Sequence, residues 1–365
     1  MACAPSGILT DRAEPPRPDE VEVSLFGPGY GECVVVHAGG GDWIIVDSFR
    51  TPGGKPVAMK YLDELGLDPA RCVRLIVATH WHDDHMKGLG ALVRRCPGAD
   101  FCCASALSSR EFMSVAAAWA GTGLRSGGIR EIHTVMSHLD RADSRPVWAM
   151  AGRRIRHSSN CEAWSLSPGD EAYTSFLRSL APHSKTGPLR GGDLLKPNRL
   201  SVVLLLRFNG GVSCLLGADL ERRGWTAVLR DDARPRWKAS VFKVPHHGSA
   251  NAHLQEVWDE LVEPEPIAIL APWRRGGGAL PQEGDVDRIL SCTPNAYATT
   301  GGPSGGISMD GWVRKKLRRD GARVVEEAGL RDTSGIIRLR RSMAGEGLWR
   351  VDLFGSACHL SEFAA

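Results

Sequence analysis

Apolar residues fall along this chain in short runs, each closed by turn residues or by a histidine or aspartate. Val21–Phe26, Val34–His37, Trp43–Val46, Arg74–Ala78, Leu200–Phe208, Val212–Leu216 and Ser240–Val244 read as strands, since β-branched and aromatic residues concentrate in them. Gly39-Gly40-Gly41 and Asn209-Gly210-Gly211 supply hairpin turns. Helical patterns lie at Pro56–Leu65, Ala172–Leu180, His253–Val262 and Val286–Ser291. Another begins at Asp84, with Met86, Leu89, Leu92 and Val93 on one face and Gly98 after its end. Strands are expected again at Ile267–Leu270, Tyr297–Thr300, Gly335–Arg341 and Leu348–Phe354. This mixture predicts one α/β domain over 21–358, preceded by a Pro- and Ala-rich leader, 1–20, expected to be disordered. The stretch from about 100 to 195 is longer than such a domain needs. Because it precedes Asn198, it is expected to overhang the site as a lid or substrate wall, or else to decorate the surface.

Composition narrows the class. No run of the 365 residues approaches the roughly 20 apolar positions that cross a bilayer. The ten cysteines are scattered without a Cys-x-x-Cys pair, and the vicinal Cys102-Cys103 sits in an apolar segment as buried thiols, which predicts a reduced, cytoplasmic protein. A net charge of +3 does not announce nucleic acid. Local charge does more: Arg314 to Arg319 lies on a helix expected from Asp310, and Arg338, Arg340 and Arg341 lie on a strand, so both sets are candidates to follow a phosphate backbone.

The densest chemistry is Thr79-His80-Trp81-His82-Asp83-Asp84-His85, directly after the strand ending at Ala78. His80 and His82 share a side in an extended segment, and Asp84 and His85 open the following helix. Two adjacent donor sets result, suited to zinc or a similar borderline metal. Downstream, Asp219 follows a strand, and a second strand runs into Pro245-His246-His247-Gly248-Ser249. An Asp at a strand end also serves as a helix cap. A carboxylate that bridges two cations is the reading its position favours. Asp47 ends the Trp43–Val46 strand.

His80-x-His82-x-Asp84-His85 resembles the signature of the metallo-β-lactamase fold superfamily. The resemblance implies an αββα sandwich of two mixed sheets flanked by helices, with two divalent metals at its edge. It implies that His80, His82, Asp84, His85, Asp219 and His247 ligate, and that Asp47 supports the metal loop through hydrogen bonds. The superfamily's usual third histidine, about twenty residues before the bridging aspartate, falls here on Asn198. Asn198-x-x-Ser201, Gly29-Tyr30-Gly31-Glu32 and His246-His247-Gly248-Ser249 together resemble the subgroup containing the metallo-β-lactamase domain of the competence protein ComEC. Asn198 is a poor zinc ligand, so the first metal would bind loosely, be replaced by manganese, or take waters. His133, His138, His157 and His183 are candidates for that place, His183 lying closest in sequence.

The expected activity is phosphodiester cleavage, with single-stranded or duplex DNA as the leading substrate. Two cations would acidify a shared water, and the hydroxide would attack phosphorus while the metals neutralise charge on oxygen. Asp84 would orient it, His246 or Ser249 would donate to a phosphoryl oxygen, and Lys243 would add charge if it faced the cleft. Alternatives are hydrolysis of a small phosphoester, cyclic nucleotide, lactone or thioester, and a non-catalytic metal-binding interaction protein, for which Asn198 is the support.

Overall fold

A computed structural model describes residues 12–121, 127–180, 196–275, 278–301, 335–345 and 347–363. The strands are β1 (Glu20–Gly27), β2 (Cys33–His37), β3 (Trp43–Val46), β4 (Val73–Ala78), β5 (Asp100–Ala104), β6 (Val147–Ala149), β7 (Arg153–His157), β8 (Cys161–Ser165), β9 (Leu204–Phe208), β10 (Ser213–Leu216), β11 (Ala239–Lys243), β12 (Val262–Leu270), β13 (Trp273–Arg275), β14 (Gly278–Leu280), β15 (Ala296–Ala298), β16 (Gly335–Ser342), β17 (Arg350–Phe354) and β18 (Cys358–His359). Among them run α1 (Val57–Glu64), α2 (Pro69–Cys72), α3 (Asp83–Met86), α4 (Leu89–Arg95), α5 (Arg110–Gly121), α6 (Gly127–Arg141), α7 (Asp170–Leu180), α8 (Arg222–Arg230), α9 (Gln255–Glu260) and α10 (Glu283–Cys292).

Two mixed sheets form the body. One has the order β17-β16-β1-β2-β3-β4-β5-β6 and the other β18-β15-β12-β11-β10-β9-β8-β7, while β13 and β14 make a separate ribbon. Strand β9 explains why its sequence reads as continuously apolar. Leu204 and Leu206 join the core shared with the first sheet, whereas Leu205 packs with Trp225 and Val228 of α8 and with Trp258 of α9. Both faces are covered, so alternation vanishes. Residues of α1, α4 and α6 cover the first sheet in the same way.

Several elements differ from expectation for local reasons. The helix expected from Asp84 through Val93 is two: Gly88 takes a φ of +90° and separates α3 from α4. Residues Leu200–Val203 precede β9 as a short turn and extended segment, and Val262 opens β12 instead of ending α9. Within 100–195, β5 and β6 extend the first sheet and β7 and β8 the second. Residues 12–19 run against β16, with the carbonyls of Arg12 and Glu14 accepting from Arg338 and Arg340.

Arg338 and Arg340 therefore do not follow a phosphate backbone. Both are buried: Arg338 pairs with Asp352 at 3.2 Å and Arg340 with Glu22 at 2.8 Å. Glu22 also accepts from the Tyr61 hydroxyl at 2.7 Å, completing a buried polar cluster on the helix-covered face. The basic helix expected over Arg314 to Arg319 lies outside the described residues.

Candidate metal centre

The loops after β3, β4, β10 and β11 meet at one end of the sandwich. Asp47 leaves β3 with a φ of 63°, and its carboxylate accepts from the Thr79 amide at 2.8 Å and the Thr79 hydroxyl at 2.7 Å. That hydroxyl lies 3.0 Å from His80 Nδ1, which leaves His80 Nε2 facing His82 Nδ1 at 3.1 Å. The short helix α3 then carries Asp84 and His85 inward, and both are buried. His85 donates Nδ1–H to Asp47 Oδ2 at 2.8 Å, so one aspartate fixes both Thr79 and His85.

The second sheet supplies the rest. Asp219 Oδ2 lies 3.6 Å from His80 Nε2, 3.5 Å from His85 Nε2 and 3.7 Å from His247 Nε2. His247 donates Nδ1–H to the Ala271 carbonyl at 2.8 Å and turns Nε2 to within 3.5 Å of Asp84 Oδ2. Asp47, Ala218, His246 and His247 all take positive φ without being glycine. Such strain costs on the order of 1–3 kcal/mol per residue and persists where surrounding bonds fix the backbone, commonly at functional sites. Here the His246 amide donates to the Ala218 carbonyl at 3.0 Å, locking two of the four together.

Donor atoms of His80, His82 and Asp219 lie within 4.8 Å of one another, as do those of Asp84, His85 and His247. A third group, Glu32, Asp47 and His85, lies beneath them. His85 Nε2, Asp219 Oδ1 and Asn198 Oδ1 are buried with no hydrogen-bond partner. Buried polar atoms of this kind are costly unless something binds them, so the donor set fits a cation.

Electrostatics agree. Burial pushes the His80 imidazole well below its usual range, helped by His85 and opposed by Asp219; burial also lowers His82. Burial alone would lower His85 and His247 too, but Asp219 and Asp84 outweigh it and hold both above the usual histidine range. Burial opposes charge on Asp84 and Asp219, yet the neighbouring imidazoles hold both carboxyls below the usual carboxylate range. The carboxylates that favour positive charge on His85 and His247 would favour a divalent cation in the same place.

Asn198 sits on the turn Pro197–Leu200, buried, with Nδ2 3.4 Å from His246 Nε2. His246 is partly exposed and donates Nδ1–H to Asn251 Oδ1 at 2.9 Å. Ser249, also partly exposed, closes the same turn through its amide to the His246 carbonyl. His133 and His138 are on α6, His157 pairs with Glu162 on β8, and His183 lies outside the described residues. None of the first three belongs to a donor cluster.

Lys243 does not face the cleft. It is 1% exposed, with Nζ 2.5 Å from Glu32 Oε1 and 2.9 Å from the Ala218 carbonyl, and serves as an internal cation beneath the site. Sequence reasoning gave no role to Thr79, Asn251 or Glu32. Only Glu32 left a signal, an acid in a glycine-rich loop between two apolar strands.

Two stacked mixed sheets gather histidines and carboxylates at their strand ends, in donor groups that could hold a metal ion. Residues 26–109, which hold β2 to β5 and the entire His80–His85 loop, match the model of the metallo-beta-lactamase superfamily. No curated protein matches the chain in sequence. Among solved structures, it is similar to a HARLDQ-motif mutant of a metallo-beta-lactamase from Cronobacter sakazakii, with 13% identity over 60% of this chain and 75% of that one and a TM-score of 0.36. It is also similar to the metallo-beta-lactamase fold protein YhfI from Bacillus subtilis, with 10% identity, 61% and 70% coverage and a TM-score of 0.33. No helix among the described residues is long and apolar enough to cross a membrane.

Proposed function

We propose that this protein is a metal-dependent phosphodiesterase acting on DNA, similar to the soluble part of the ComEC-like subgroup. In this reading His80, His82 and Asp219 hold one divalent cation, and Asp84, His85 and His247 hold a second. The observation that carries it is the Asp219 carboxylate oxygen lying 3.5–3.7 Å from the Nε2 atoms of three histidines drawn from two sheets. Zinc suits an imidazole-rich set, and Asn198 in place of a third imidazole makes room for manganese at the first position. Bound divalent cations supply the positive charge that acidifies water and neutralises charge developing on phosphoryl oxygen.

The chain's own groups do the positioning. Asp84, kept ionised by His85 and His247, accepts a hydrogen bond from the attacking water and fixes its direction. His246, held between Asn251 at Nδ1 and Asn198 at Nε2, stands on the open edge of the site, where it would donate to a phosphoryl oxygen. The Ser249 hydroxyl is a second donor on the same edge. Nine free cysteines among the described residues fit a reducing, cytoplasmic setting.

One observation favours a second reading. A cavity of about 400 Å³ opens between α7, the Lys196–Leu200 segment and α8, lined by Leu166, Phe176, Arg199 and Leu220 among others. It adjoins the neighbours of both Asn198 and Asp219, and suits a small phosphoester, cyclic nucleotide, lactone or thioester. Cleavage of labelled single-stranded and duplex DNA, and of bis-p-nitrophenyl phosphate, with added zinc or manganese separates the two. Metal-dependent DNA cleavage lost in Asp84→Ala and His247→Ala supports the nuclease. Cleavage of the small diester alone turns the reading to the cavity, and no phosphodiester cleavage at all removes both phosphodiester readings.

A further inference from the structure

On the Asp84–His247 side of the site stand side chains that none of the steps above uses. Arg275 Nη1 donates to the Tyr30 hydroxyl at 2.6 Å, and its guanidinium lies 5.0 Å from the Tyr30 ring centroid. Lys87 Nζ lies 4.8 Å from the same centroid. The Trp273 ring is 6.4 Å from that of Tyr30, tilted by 52°, and is partly exposed. Among the described residues, neither Lys87 nor Arg275 has a carboxylate within ion-pair distance.

The backbone ties each of these residues to the metal centre. Glu32, two positions after Tyr30, donates its amide to the Asp84 carbonyl at 3.0 Å. Lys87 follows Asp84 by three positions. His247 bonds the carbonyl of Ala271, two positions before Trp273. The Arg274 amide donates to the Gly29 carbonyl at 2.7 Å and so fastens the β13–β14 ribbon to the Tyr30 loop. Burial and the nearby Asp84 carboxylate raise the Tyr30 hydroxyl, keeping it a neutral partner for Arg275.

Two cations without acidic partners, held over one aromatic ring and beside a second that is partly exposed, are suited to a chain that alternates phosphates with flat bases. We propose that Trp273, with Lys87 and Arg275 gathered around Tyr30, forms a subsite for single-stranded nucleic acid. An unpaired base stacks on Trp273, the flanking phosphates meet Lys87 and Arg275, and the strand reaches the centre from the Asp84–His247 side. A duplex keeps both faces of each base inside its own stack and cannot offer one to Trp273. The proposal rests on the phosphodiester reading for its link to catalysis, but not for its binding chemistry.

The test is fluorescence anisotropy of labelled oligonucleotides bound to the full chain in chelator, where no turnover occurs. The ligands are a single strand of DNA, the same sequence as RNA, its duplex, and an abasic strand of equal length. The wild type should prefer base-bearing single strands over both duplex and abasic strand. Stacking of one base contributes on the order of 1–3 kcal/mol, so Trp273→Ala should weaken the base-bearing strand by about fivefold or more. It should leave the abasic strand within about twofold, and Trp273→Phe should recover most of the loss. Lys87→Gln and Arg275→Gln should weaken base-bearing and abasic strands alike and flatten the salt dependence. DNA and RNA binding equally means bases and phosphates are read, and a preference between them adds a sugar contact; either supports the subsite. Base-independent binding, unchanged binding in Trp273→Ala, or failure of Trp273→Phe to rescue a folded Trp273→Ala overturns it. Hydrolysis of bis-p-nitrophenyl phosphate by the metal-loaded wild type is scored separately, so loss of the catalytic reading is not confused with loss of the subsite.

Discussion

Lys243→Met tests whether the ion pair beneath the site holds the two sheets in register. The ammonium is 1% exposed and the Glu32 side chain 2%, with 2.5 Å between Nζ and Oε1. Removing one partner of a buried pair costs about 3–5 kcal/mol, mostly the penalty of leaving the other charge uncompensated. The penalty here lies toward the lower end, since Glu32 retains His247 Nδ1 at 3.7 Å and His85 Nδ1 at 3.9 Å as weaker partners. About 3 kcal/mol lowers the unfolding midpoint of a chain this size by roughly 4 °C. Urea unfolding followed by tryptophan fluorescence in chelator measures the loss without interference from bound metal. Adding Glu32→Gln removes the orphaned charge and should recover about 2 kcal/mol. A loss below about 1 kcal/mol in the single variant refutes the reasoning. So does a double variant that loses the sum of the two single losses, because uncoupled residues add.

Three further outcomes are expected. In Gly128→Ala, a Cβ would meet the Trp81 carbonyl oxygen at 1.9 Å, where α6 packs on the backbone between His80 and His82; thermal unfolding should register a loss of about 2–3 kcal/mol, and a change under 0.5 kcal/mol would contradict the packing. Asp47→Asn should weaken divalent-metal retention against a competing chelator by about 10–100-fold, since Asp47 orients His85 and Thr79; unchanged retention would remove its supporting role. His37 is held neutral, donating Nδ1–H to the Glu20 carbonyl and accepting the Gly41 amide at Nε2, and burial lowers its pKa from 6.5. The unfolded chain therefore takes up the proton first, so this stability is complete above about pH 6.5 and lost as pH falls toward the folded value. His37→Gln should have a flatter stability profile than the wild type between about pH 7 and 5, and parallel profiles would exclude the effect.

The centre was far more legible than its supports. His80, His82, Asp84 and His85 announce themselves because their donors are adjacent in sequence and follow a plain strand. Asp219 and His247 were legible only as strand-end residues of the right type, and their convergence on one point depends on how two sheets stack. Arg340 was read as an outward charge and the direction of Lys243 was left open, because a charge in a strand looks alike whether it meets solvent or a buried acid 318 or 211 positions away. The helix expected through Asp84–Val93 failed at Gly88, where a positive φ ends α3 after a single turn. Thr79 and Asn251 gave no sequence signal, since a hydroxyl or amide acting through a neighbouring imidazole has no characteristic spacing.

The register of β1 bears on how the protein is made. β1 pairs with β2 on one side and with β16 on the other, so Glu20–Gly27 waits for residues 335–342 to be synthesised before its second edge is covered. Until then Glu22 lacks the Arg340 guanidinium that neutralises it, and the first sheet ends in an open row of amides and carbonyls. A nascent chain halted before Gly335 thus carries a ready template for intermolecular pairing. Premature termination should yield aggregates or prompt degradation in place of a shorter folded protein, even though every histidine and aspartate of the candidate metal site has by then been translated.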